Sequence, residues 1–328
     1  MLEITDARTG SLSARLLRLI PRLLLALRHP HDLVIVGFYG YPLTWLARRL
    51  TQRPILFDAF LQTYGTLVED RELFGPSSPL ARLALAVDRV GGQAADQVLL
   101  DTQSQADAFS RSANVPRDRI RSLFVSCNED LFNPEVKPDR ARDDRFWVLY
   151  YGTYQPLHGM ETVVRAARLL RGETHIRWRI IGRGQEYGHV RHLADEWDLT
   201  NVDFQPPMSY GDLPGAIASA DLCLGGPFGR TKKARRVITG KTFQFLSMRK
   251  PIIVGDTPAN RELLVPDESA CFVPLADEEA LAAAVRELAH APSRRQRLVD
   301  DGHAQYQKKA SEAVIGDQLS TIIEEMLA

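Results

Sequence analysis

The chain has 328 residues, 45% hydrophobic and 25% charged, which is room for two globular domains and excludes a disordered or fibrous chain. Lys+Arg and Asp+Glu both number 41, so there is no basic excess of the kind a nucleic-acid binder carries, and nucleic acid is not an expected partner. Three widely spaced cysteines, Cys127, Cys223 and Cys271, form neither a disulfide framework nor a zinc spacing, which points to a reducing, cytoplasmic compartment.

In chain order, the first feature is an amphipathic segment, Leu12–Leu27. Leu12, Leu16, Leu19, Ile20, Leu23 and Leu27 share one helical face, and Arg15, Arg18 and Arg22 share another. The arginines break it well short of the roughly 20 apolar residues of a membrane span, and no small-residue cleavage site follows. Two readings stand: a helix covering a core, which is the commoner use, or one lying on the inner face of an anionic membrane. Strand-like apolar runs then recur at 32–38, 54–58, 97–101, 146–151, 176–182, 202–204, 221–224 and 251–255. Most lack polar alternation, as parallel strands covered on both faces do, and helix-period segments separate them, one behind the cap candidate Asp277. The pattern predicts α/β architecture with doubly wound sheets. A polar, proline-bearing stretch at 133–145 reads as a linker. It divides the chain into a first domain over 1–138 and a second over 139–311, with a cleft between them and a C-terminal helix, 312–328, returning to the first.

Three stretches carry candidate chemistry. The strand 146–151 runs through Gly152, Thr153, His158 and Gly159 into a helix, an arrangement that presents free backbone N–H groups to an anion; a plain loop with a solvated histidine is the equal alternative. Gly182, Arg183 and Gly184 follow the next strand with a GxGxxxG spacing that departs from the dinucleotide fingerprint. Six basic residues between Arg230 and Lys241, among them Lys233 and Arg236, follow the strand end at Gly225 and lead to Gln244. Cations at a strand C-terminus suit a polyphosphate leaving group, whereas a solvated basic face is the blander account. In the first half, Asp58 ends a strand and is either a site carboxylate or a turn cap, and Asp70-Arg71 reads as a surface ion pair.

Over 146–290 the sequence resembles the donor domain of the retaining group 1, or family four, glycosyltransferases of the GT-B fold. The resemblance rests on 150–170, 178–184, 202–221 and above all on KTFQFLSMRKPIIVGDTPANRELL at 241–264. It implies two Rossmann-like domains, with the first shortened at its N-terminus because the chain opens MLEITDARTG instead of with a strand and glycine turn. It implies transfer of a sugar from a nucleotide-diphosphate donor to a saccharide or lipid-linked acceptor in cell-envelope synthesis. No cofactor is implied, and no metal, in keeping with the absence of a DxD triplet.

The family's diphosphate-binding arginine and lysine fall at Thr153 and His158, so His158 is expected to stand in as a cation, with Lys233 or Lys241 supplying further charge. The family's two glutamates fall at Arg236 and Gln244, the first a charge reversal suited to phosphate. The expected catalytic set is Asp58, His158 and Lys241. The expected donor-binding set is Gly152, Thr153, His158, Gly159, Arg183, Gly184, Lys233, Arg236, Lys241 and Gln244. A catalytically silent nucleotide-binding protein of the same fold is the alternative, and a sugar-nucleotide epimerase a weaker one.

Overall fold

A computed structural model describes residues 12–141 and 143–328, with side chains from residue 17 on. The opening MLEITDARTG, on which the expectation of a shortened first domain turns, lies outside the described residues. The chain divides into two compact units, Met1–Leu123 with Leu319–Ala328, and Phe124–Gln318.

The first unit runs α1 (Leu12–Ala26), β1 (Val34–Val36), α2 (Tyr41–Leu50), β2 (Ile55–Asp58), a π-helical turn (Gly65–Asp70), α3 (Pro79–Ala94), β3 (Gln97–Leu100), α4 (Gln103–Ala113) and β4 (Ile120–Ser122). Its four strands are parallel in the order β1-β2-β3-β4. Local chemistry sets the helix starts. The Ser78 hydroxyl accepts from Ala81 N and Thr102 Oγ1 accepts from Gln105 N, each satisfying an orphan donor of the first turn.

Of the α1 face singled out in the sequence, Leu23 is buried with Val36, Tyr41 and Phe57 in this unit's core, and Leu27 packs against it; Leu12 and Leu16 lie outside the described side chains. Among the described side chains of α1, Leu17, Leu24 and Leu25 are exposed. Asp70, expected at the surface, is instead fully buried at the last residue of the π-helical turn.

The second unit runs β5 (Phe146–Tyr151), α5 (Met160–Leu169), β6 (Ile176–Ile181), α6 (Tyr187–Glu196), β7 (Val202–Gln205), α7 (Leu213–Ala218), β8 (Leu222–Leu224), α8 (Gly240–Ser247), β9 (Ile252–Gly255), α9 (Pro258–Leu263), β10 (Cys271–Val273), α10 (Glu278–His290) and α11 (Pro292–Lys309). A last helix, α12 (Glu312–Leu327), carries the chain into the residues that count with the first unit. The sheet is parallel in the order β10-β9-β8-β5-β6-β7. Strand alternation feeds two cores, one on each face. Phe146, Val148 and Tyr150 point to the side of α5, α6 and α10, and Leu149 and Tyr151 to the side of α7, α8 and α11. Asp277 caps α10 as expected, accepting from Ala280 N at 2.8 Å.

All eight expected strands form; β4 and β10, three residues each, lie outside the expected runs. The unit boundary falls at Leu123, ahead of the segment read as a linker. That segment is anchored on the second unit. The Asp139 carboxylate takes both terminal guanidinium nitrogens of Arg179, at 2.9 and 2.7 Å, and accepts from Ser219 Oγ at 2.5 Å. Arg140 stacks on the Trp147 ring, 3.7 Å from its centroid. Arg179, buried in the middle of β6, needs a carboxylate, and the polar segment supplies it.

Candidate functional site

In the second sheet β5 pairs with β6 on one side and β8 on the other, so the chain reverses its direction of build across β5. Loops leaving β5 and β8 diverge at that point, and in open α/β sheets ligands bind there, beyond the strands' carboxyl ends. Four loops meet at this edge. The β5–α5 loop touches the β6–α6 loop through Tyr154 N–H to Arg183 O, at 3.2 Å, and Glu186 N–H to Tyr154 O, at 2.8 Å. It touches the β8–α8 loop through Gly229 N–H to Leu157 O, at 3.0 Å. The side chain of Asn260, on α9, donates to the carbonyls of Gly226 and Gly255, tying the β8 and β9 loops together. The packing depends on glycine where backbones nearly touch. At Gly182, with φ +130°, a Cβ would sit 2.0 Å from the Gly152 carbonyl oxygen.

The chemistry centres on Lys241 in the first turn of α8. Its Nζ lies 3.4 Å from His158 Nδ1, 4.7 Å above the centroid of the Tyr150 ring and 3.6 Å from where a Cβ on Gly152 would stand. Lys241 is 6% exposed, and among the described residues no carboxylate pairs with it. Burial alone pushes its ammonium down from the ordinary lysine value to about 7.

Burial, then Lys241, then Lys233 hold the His158 imidazolium well below the usual histidine range. His158 is therefore neutral at pH 7, which corrects the expectation that it replaces the family lysine as a cation. Facing an ammonium, Nδ1 accepts, and Nε2–H is left toward Thr153 Oγ1 at 3.5 Å. The site's positive charge resides on Lys241 and on Lys233, itself 6% exposed.

The structure thus brings Gly152, Thr153, His158, Lys233 and Lys241 together at the switch point, with Gly159 packed against Gly229. Arg183 and Gly184 belong to the adjoining loop. Gly184 lies against the Tyr154 backbone, and the exposed Arg183 guanidinium stacks 4.5 Å above the Tyr187 ring. Arg236 is half-buried in the basic loop, and its N–H closes a turn on Lys233 O. Gln244, one turn after Lys241, donates to Tyr210 Oη at 3.4 Å.

Asp58 belongs to the first unit, where its carboxylate caps a turn by accepting from Phe60 N–H at 3.1 Å; burial pushes its pKa up. Three residues escaped the sequence reading. Tyr150 and Asn260 are apolar-run and helix residues whose roles come from what the loops place beside them. Asp88, buried in the first unit, accepts from Thr63 N–H and Tyr64 N–H and is pushed to about 6 by burial. Its only sequence signal is a lone carboxylate on the apolar side of α3.

Residues 145–291, within the second unit, match the family described as glycosyl transferases group 1. The chain is 25% identical over 259 residues to the alpha-D-kanosaminyltransferase of Streptomyces kanamyceticus, a match covering 76% of this chain and 65% of that relative. The chain thus spans less than two thirds of that curated relative. Among solved structures it is similar to sucrose-phosphate synthase from Thermosynechococcus elongatus, with a TM-score of 0.75 at 17% identity, covering 98% of this chain and 82% of that one. It is also similar to Anabaena HepE in complex with UDP, with a TM-score of 0.73 at 14% identity, covering 95% and 84%. These likenesses establish the GT-B fold, two parallel-sheet α/β domains.

Proposed function

We propose that this chain is a glycosyltransferase that moves a sugar from a nucleoside-diphosphate donor to an acceptor hydroxyl, retaining the anomeric configuration and using no metal. The observation that carries the reading is the buried Lys241 amine, aimed with His158 and Lys233 at the switch point of a group 1 glycosyltransferase domain. The departing diphosphate is the largest charge to develop in such a reaction, and preorganised cations and N–H donors aimed at it are the main work of the protein. In this scheme Lys241 and Lys233 meet the phosphate oxygens, His158 Nε2–H donates to them, and the N–H groups opening α5 add to the field. Gln244 is suited to hold ribose hydroxyls, and Arg236 to hold phosphate. A solved neighbour of the same fold is in complex with UDP, which makes a uridine diphosphate the first nucleotide to try.

The proposed acceptor is a saccharide or a lipid-linked glycan of the cell envelope. Contact with an anionic membrane surface fits the exposed Leu17, Leu24 and Leu25 beside Arg22 on α1. Among the described residues no helix is long and apolar enough to cross a membrane. Thermal stabilisation by a panel of nucleoside diphosphates and their sugars tests the donor site, because a ligand bound only to the native state raises the midpoint. A base-selective rise followed by transfer to an acceptor supports the reading. The departures from the family's charged residues at Thr153 and Arg236 favour one competitor, a silent nucleotide-binding protein. It would show the same rise with no turnover on any acceptor tried.

A further inference from the structure

A second cluster of chemistry-bearing side chains lies at the opposite edge of the same sheet. Glu173 and His175 flank the turn between α5 and β6, and His290 is the last residue of α10. The turn is held by backbone bonds: Glu173 N–H to Leu170 O at 3.0 Å, Ile176 N–H to Glu173 O at 2.9 Å, and Phe146 N–H to His175 O at 2.8 Å. One ligand atom from each of Glu173, His175 and His290 lies within 4.8 Å of the other two. We propose that these three residues bind a divalent transition-metal ion of the zinc class, clamping the α5–β6 turn to the end of α10.

Four observations support this. The His175 and His290 rings stand with centroids 5.1 Å apart, and His175 Nε2 is buried with no hydrogen-bond partner, an unmet nitrogen in a place where burial makes it costly. Glu173 divides its oxygens: Oε1 accepts from Arg286 Nε, and Oε2 lies toward His290 Nε2 at 3.8 Å. Arg286 thereby orients the carboxylate and leaves one oxygen on the imidazole side, as outer partners of metal ligands do. His290 ends a 13-residue helix, where the dipole favours a cation. Finally, ligands about 2.1 Å from a tetrahedral ion stand roughly 3.4 Å apart, so small rotamer changes close the set.

Two imidazoles and a carboxylate select zinc, nickel or copper over magnesium or calcium, with water completing the shell. The site lies at the start of β5 and the donor loop at its end, six residues or roughly 20 Å away. The ion would brace the packing of α5 on α10, around Val163, Val164, Val285 and Leu288, without touching the proposed reaction centre.

The test uses the full chain stripped with chelator, melted with added zinc chloride or magnesium chloride, and titrated with zinc calorimetrically. Free zinc at 100 times the dissociation constant should shift the folding equilibrium about 100-fold, and magnesium should not. His290→Ala, at a side chain 63% exposed and so expected to fold, should weaken zinc binding at least tenfold and abolish the rise. Lys241→Met should keep it. Cobalt(II) should give visible d–d absorption with wild type and not with His290→Ala. No zinc-dependent rise in wild type, or an equal rise in His290→Ala, overturns the proposal; neither result bears on donor binding.

Discussion

Replacing Lys241 by methionine should stabilise the free protein while weakening its hold on a nucleoside diphosphate. The amine is 6% exposed, has no carboxylate partner among the described residues, and is pushed by burial from 10.5 to about 7. A tenfold loss of proton affinity is worth about 1.36 kcal/mol, so burying this ammonium costs on the order of 4 kcal/mol at neutral pH. Methionine keeps the length of the chain over the Tyr150 ring and removes the charge. The sign follows from proton counting. Between about pH 7 and 10.5 the unfolded chain holds a proton on this lysine that the native state does not, so wild-type stability rises with pH across that window. The variant's advantage should therefore be largest at pH 7 and below and fade toward pH 10. At roughly 2–4 °C per kcal/mol for a domain of this size, the midpoint should rise by several degrees at pH 7. Losing a charged hydrogen bond worth about 1.5–3 kcal/mol should weaken UDP binding by roughly 10- to 100-fold. Thermal melts at pH 6.5, 8 and 9.5, with UDP titrations at each pH, check both halves. A midpoint that falls at every pH, or unchanged UDP affinity, would refute the reasoning.

The loop packing and the anchored segment each make a further prediction. Gly182→Ala places a Cβ 2.0 Å from the Gly152 carbonyl in a backbone conformation that L side chains rarely adopt; it should cost more than about 3 kcal/mol in denaturant titration and abolish UDP-induced stabilisation. Asp139→Ala strips the buried Arg179 of its bidentate partner and should cost about 3–5 kcal/mol, lowering the midpoint by on the order of 10 °C. Burial opposes it, but Arg179 and Ser219 hold the Asp139 carboxyl below its usual value, so this stabilisation is present above that value and lost in acid. The gap between wild type and Asp139→Ala should therefore narrow as the pH of the melt is lowered below 4.

The doubly wound pattern was legible because parallel strands covered on both faces are largely apolar, and most of the eight runs, such as 146–151 and 251–255, met that demand. What resisted reading was long-range partnership. The segment around Asp139 looks like a linker because its polarity is answered 40 residues away by Arg179, inside a strand whose arginines already broke the apolar run. Asp70 looks like a surface charge because nothing local reveals that a π-helical turn folds it inward. At the candidate site, the glycine turns and the basic run pointed to Gly152, His158 and Lys241 because loop geometry and charge are local properties. The protonation of His158 was not legible. It is set first by burial and then by Lys241, 83 positions on, and Lys233, all of which only the fold delivers.

That exchange of charge has a chemical consequence for the proposed reaction. Where the resembled family keeps a permanent cation in the β5–α5 loop, this chain has a neutral imidazole there and an amine near pH 7 on the neighbouring helix. An arriving diphosphate would raise the pKa of that amine, so binding should take up a proton, and affinity should fall as pH rises above about 7. The amine is then most strongly cationic when negative charge is in place, and it loses charge as that anion leaves. A site of this kind holds a diphosphate leaving group firmly at the moment bond cleavage develops its charge and pays less to release it afterwards, which suits a transferase whose product must depart each turnover.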